Sequence, residues 1–69
     1  MTILEVAYGG VTYRIAGRSM QEVQLHIAVA LASPDPGWLE AFDGYGNRTP
    51  YELLITPGVP IAICALPEE

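Results

Sequence analysis

A chain of 69 residues with eight acidic residues, three arginines, no lysine and a net charge of -5 has room for one hydrophobic core and no second domain, so residues 1–69 read as a single unit. Half of the residues are hydrophobic (51%), with a mean hydropathy of +0.29, yet the longest membrane-span candidate, residues 23–32, contains Gln24 and His26 and falls well short of the ~20 apolar residues a span needs. Three scattered arginines cannot form the basic patch that phosphate binding requires, and the carboxylates are too dispersed to imitate a phosphate ladder, so neither nucleic acid nor membrane is an expected partner.

The N-terminal residues carry neither the basic start nor the apolar run of a secretory signal, so the expected compartment is the cytoplasm. Cys64 is alone, which rules out a disulfide within the chain. With His26 as the single imidazole, a four-ligand zinc site cannot be built in one chain, and no cofactor is expected. A chain of this size buries only roughly 60% of the surface its unfolded form exposes, so its stability must come from good packing or from association.

Residues 2–16 read as a β-hairpin, because two alternating runs flank Gly9-Gly10, a dipeptide suited to the positive φ angles of a two-residue turn. Pairing Tyr8 with Val11 sets Val6 against Tyr13, Leu4 against Ile15 and Glu5 against Arg14, which leaves one face wholly apolar. Ser19-Met20-Gln21-Glu22 matches the S-x-x-E capping box and predicts a helix running to about Ala32, where Ser33-Pro34-Asp35-Pro36-Gly37 stops it. Met20, Val23, Ile27, Ala30 and Leu31 form its core stripe. Gln21, Glu22 and His26 fall opposite, and so do Leu25 and Val29, stacked at i and i+4.

Trp38 to Phe42 reads as a third strand whose inward face periodicity alone does not decide; we place Leu39 and Ala41 toward the helix. Residues 43–50 form a turn-rich loop, and Tyr51 to Thr56 a fourth strand. Thr56-Pro57-Gly58-Val59 suits a type II turn with Gly58 at positive φ. Ile61 to Leu66, an uninterrupted apolar run, reads as a fifth strand lying inside the sheet, with Pro60 tolerated at its first position. The order ββαβββ defines an α+β fold, an antiparallel-rich sheet with one helix packed on one face. The helix, the aromatic strand and Thr56-Pro57-Gly58-Val59-Pro60-Ile61-Ala62-Ile63 resemble the layout of short uncharacterised proteins from actinobacteria and their phages, a resemblance that carries no activity or site residues with it.

The chemistry-bearing residues have bland explanations. His26 lies within reach of Glu22 but shares its face with no nucleophile, so it reads as a surface histidine. Cys64, between Ile63 and Ala65, reads as a small buried hydrophobe. Gly44-Tyr45-Gly46 resembles half of a dinucleotide loop, but no helix can follow it. Asp43 and Glu40 could pair as acid and base, yet no second layer forms a pocket around them.

Tyr45 stands out, because a large aromatic between two glycines has no local side chain to cover it. Trp38 shares its ambiguity between core and contact, and Arg48 lies in the same loop as Tyr45. The leading expectation is a small non-catalytic protein–protein interaction module, accessory or inhibitory, that contacts a partner through Tyr45, Trp38, Leu25, Val29 and Arg48. The alternative is a self-assembling structural subunit, motivated by surplus apolar faces: Leu25 and Val29 on the outer side of the helix, and Ile3, Ala7 and Ala16 on the sheet face away from the core. A small enzyme ranks third, for want of a catalytic constellation.

Overall fold

The computed structural model describes residues 3–46 and 48–67. The elements run β1 (Ile3–Tyr8), β2 (Val11–Ala16), α1 (Met20–Ala32), β3 (Gly37–Ala41), β4 (Tyr51–Ile55) and β5 (Ile61–Ala65), an α+β fold in the expected order. β1 and β2 pair antiparallel in the expected register, Tyr8 against Val11 through Ile3 against Ala16. Gly9 and Gly10 turn between them at φ 61° and 83°, left-handed values that a side chain at either position would resist.

The strands form two sheets, not one: a three-stranded sheet in the order β2-β1-β5, and the pair β3-β4. Among the described residues a single bridge joins them, with Arg14 N–H donating to Phe42 O at 2.7 Å and Phe42 N–H donating to Arg14 O at 2.8 Å. A second tie comes from β1, where the Tyr8 hydroxyl donates to the Leu54 carbonyl and accepts the Thr56 N–H at 3.3 Å. The split explains one misplaced element. β5 pairs only with β1, so it is an edge strand and not the interior strand its apolar run suggested. Its alternation is concealed by size. Ile61 and Ile63 turn toward the core, while Ala62 and Cys64, small enough to read as apolar interior, face solvent.

The helix forms for the reason its sequence gives. Ser19 Oγ accepts the Glu22 N–H at 3.1 Å and Glu22 Oε1 accepts the Ser19 N–H at 3.4 Å, which closes the capping box. The helix ends at Ser33, whose N–H reaches back to Val29 O. Val23 and Ile27 are buried, with Met20 and Ala30 packed beside them, but Leu31, expected in the same stripe, is 45% exposed. The core is completed by Leu4, Val6, Ile15, Leu39, Ala41, Leu53 and Ile55, so Leu39 and Ala41 do face inward on β3. The turn at Thr56 closes through Val59 N–H to Thr56 O at 3.4 Å, but Gly58 does not take a left-handed φ, so it is not the type II turn expected.

Gly37 opens β3 where the strand crosses the helix. A Cβ there would collide with the Ala30 side chain and lie 2.9 Å from Ala30 Cα, so the glycine sets how closely β3 approaches α1. Gly37→Ala should therefore cost ~1–3 kcal/mol, the usual penalty for overpacking, and lower Tm by several degrees in a thermal melt. Gly58→Ala, with nothing within 4 Å of the added carbon and no left-handed φ, serves as the control and should leave Tm unchanged or slightly raised.

Candidate functional site

The 43–50 segment leaves β3 through a tight turn in which Asp43 Oδ1 accepts the Tyr45 N–H at 2.8 Å, a side-chain mimic of a backbone turn. Gly44 and Gly46 take φ 84° and 80° on either side and leave the tyrosine without flanking side chains. Tyr45 is 91% exposed. The chain then enters β4, a strand and not the helix that a dinucleotide loop would need. The Arg14 side chain runs along this turn, with Cδ 3.2 Å from where a Gly44 Cβ would stand.

Beside Tyr45 lies a recess of about 550 Å³ lined by Val11, Tyr13, Asp43 and Tyr51, with the hairpin tip at Gly10 and Thr12. Tyr13 and Tyr51 meet edge to face, their ring centroids 5.6 Å apart at 61°. Such pairs contribute about 0.5–1.5 kcal/mol beyond their burial and hold both rings in place. Three tyrosines from β2, the 43–50 loop and β4 thus surround one opening. The sequence reading missed Tyr13, Tyr51 and Val11 as surface contacts. The signal was present in the hairpin register, which puts Val11, Tyr13 and Ile15 on one face with Val11 at the tip.

A second groove, of about 470 Å³, runs between the outer side of α1 and the 33–37 turn, with Arg18, Leu25, His26, Val29 and Pro36 on its walls. Leu25 and Val29 are 66% and 60% exposed, as the helical spacing implied. His26 differs from its expected role as a surface neighbour of Glu22. Its Nε2 lies 2.7 Å from the Trp38 carbonyl, so that nitrogen carries the proton and donates, while Nδ1 faces Arg18 Nη2 at 3.4 Å and accepts. The imidazole therefore ties α1 to the first turn of β3. Glu22 meanwhile is occupied at the helix cap.

Trp38 is 51% exposed on the outward face of β3, paired in register with Leu54, also exposed. The next pair along is Glu40 opposite Glu52, two like charges on facing strands, an arrangement that costs stability wherever no cation answers it. Arg48 is exposed in the Tyr45 loop. The five expected contact residues therefore do not gather in one patch: Tyr45 and Arg48 share the loop, Leu25 and Val29 share the helical groove, and Trp38 stands with Leu54. Among the described residues no group of three or more His, Cys, Asp or Glu side chains assembles, and no helix is long and apolar enough to cross a membrane. Comparison with protein-family models, curated proteins and solved structures finds no match to this chain.

Cys64 corrects another expectation. It is exposed, on the outward face of β5 opposite Glu5, with its Sγ 3.7 Å from the Ala65 carbonyl. A thiol reagent added to the native protein should label it within minutes at mildly alkaline pH, with no added denaturant, as followed by mass spectrometry. Labelling that waits for denaturant would show the thiol to be covered.

Proposed function

We propose that the protein is a small non-catalytic binding module that docks on another protein through the tyrosine-lined recess beside the 43–50 loop. The observation that carries this reading is the near-complete exposure of Tyr45 over an opening bordered by Tyr13 and Tyr51. Tyrosine supplies a large, rigid contact area with a polar tip at low conformational cost, which is why it is enriched where one protein recognises another. The Tyr13–Tyr51 contact adds preorganisation, since two of the three rings need no ordering on binding.

The charge balance narrows the partner. With a net charge of -5, and Glu40 facing Glu52 on the outer sheet, a partner with a basic rim fits better than an acidic one. Trp38, on the same outer face as that glutamate pair, and Arg48, in the same loop as Tyr45, enter the same reading as peripheral contacts, and the Leu25 and Val29 groove as a separate apolar one.

The test is a partner captured on the immobilised protein and then titrated against wild type and Tyr45→Ala. The variant should keep its Tm within a degree or so while binding weakens by ~2 kcal/mol, about thirtyfold. A Tm loss of several degrees would assign the ring to the core, and an unchanged affinity would remove the recess from the interface.

A further inference from the structure

The backbone hydrogen bonds leave the outer edge of β5 open among the described residues. Leu66 N–H donates to Ile3 O at 2.9 Å, which fixes the phase of the β1–β5 ladder: Cys64 and Ala62 use their backbone groups toward Glu5 and Ala7. The same phase makes the Tyr8–Val11 pair hydrogen-bonded, as a two-residue hairpin requires, and turns Arg14 outward, where it meets Phe42. Ile61, Ile63 and Ala65 must then direct their N–H and C=O groups away from β1. Among the described residues, the polar group seen to reach one of them is the Cys64 thiol at the Ala65 carbonyl, a weak donor at 3.7 Å.

The remaining edges are treated differently. β2 is engaged by Phe42, β3 by His26 at the Trp38 carbonyl with Glu40 on the same strand, and the end of β4 by the Tyr8 hydroxyl with Glu52 on the same strand. β5 carries no charged residue, proline or bulge within Ile61–Ala65, the devices that ordinarily discourage pairing at an edge.

We infer that β5 pairs antiparallel with β5 of a second copy of this chain about a two-fold axis at Ile63. In that register Ile63 meets Ile63 of the second copy, and Ile61 meets Ala65, so all three outward donors and all three outward acceptors are satisfied in each chain. A register centred on Cys64 satisfies fewer, because Ile61 would then oppose Pro67, which has no N–H. What favours a second copy is the content of the strand: centred on Ile63, β5 opposes no proline and no charged residue, so two chains of net charge -5 meet where neither brings charge.

An apolar groove of about 350 Å³ lies beside this edge, between Ile61 and Ile63 on one side and Gln24, Ala28 and the exposed Leu31 on the other, and the second strand would extend over it. Strand and groove together involve about ten residues a side, roughly half of a standard interface, so association should be weak. This surface is distinct from both the Leu25 and Val29 stripe and the tyrosine recess, and it does not depend on the partner-binding reading.

Sedimentation over 1 µM to 1 mM reads the result on the whole chain. The weight-average mass should rise from 7.4 kDa toward twice that value. Ala65→Pro removes an outward N–H without touching the β1 ladder, a substitution an edge strand tolerates, and should hold the mass at the monomer value with the circular dichroism spectrum unchanged. Leu25→Glu with Val29→Lys should leave the dimer intact. The register has its own readout. Ala62→Cys faces Cys64 of the second copy across a non-hydrogen-bonded pair, where Cα atoms stand about 4.5 Å apart and a disulfide can close. Under mild oxidation this variant should cross-link at least tenfold faster than wild type, whose Cys64 thiols sit diagonally. A chain that stays monomeric to 1 mM overturns the proposal, as does a dimer that survives Ala65→Pro or one lost with Leu25→Glu and Val29→Lys. A monomer whose β5 edge accepts only added strand-forming peptides overturns the second copy as occupant, and wild-type cross-linking as fast as the Ala62→Cys variant overturns the register.

Discussion

Two backbone hydrogen bonds between Arg14 and Phe42 decide where everything else in this molecule can be. Each contributes a net ~1 kcal/mol, no more than any other ladder bond, yet they are the only strand pairing between the two sheets among the described residues. By docking the end of β3 on β2 they bring Tyr51 beside Tyr13, start the 43–50 turn next to the Arg14 arm, and aim the opposite end of β3 at the helix. At that end the tolerances are small. Gly37 must pass Ala30 without a Cβ between them, and the Trp38 carbonyl must come within hydrogen-bond reach of His26. The Tyr8 hydroxyl, bonded at the end of β4, then fixes the second sheet against the first from another direction. A small core held by a few long-range polar ties of this kind gains orientation from them more than energy.

Much of this was legible in local chemistry. The hairpin register followed from Gly9-Gly10 and alternation, the helix start from Ser19 and Glu22, and the helix end from the proline pair after Ser33, because each is determined by residues within a few positions of one another. The inward choice of Leu39 and Ala41 also held, for a reason now visible: the alternative would have buried Glu40. What escaped depended on partners distant in sequence. Nothing near Tyr8 announces a bond to residues 46 and 48 positions away, and nothing near His26 announces Trp38. β5 escaped for a different reason. Hydrophobicity scales rank alanine and cysteine with isoleucine, so Ile-Ala-Ile-Cys-Ala reads as uniform although only its larger residues face the core. Of the candidate contacts, Leu25 and Val29 are exposed as their helical spacing implied, and Tyr45 and Trp38, ambiguous between core and contact in the sequence, prove exposed too, but their separation into different surfaces depends on how the two sheets join, which no local pattern encodes.

The tyrosine recess also has a geometric origin. The hairpin presents a row of core-side residues from Leu4 and Ile15 out to Tyr8 and Val11, whereas α1 buries only Val23 and Ile27 against the assembled sheets. The helix packs chiefly on β3 and β4, and Val11 at the hairpin tip stays half exposed. β4 supplies Tyr51 there and the 43–50 loop supplies Tyr45, but Tyr45 is held outward by the Asp43 turn and does not close over the gap. Phenylalanine at these positions would leave the same ring area in water with no compensating polar group. Tyrosine keeps its hydroxyl hydrated while the ring edge packs, so the free molecule tolerates the opening and a partner still gains from covering it. An aromatic surface that is cheap to expose and profitable to bury suits a reversible contact, and here it stands where Val11, Tyr13 and Tyr51 border an opening that Tyr45, held outward, does not close.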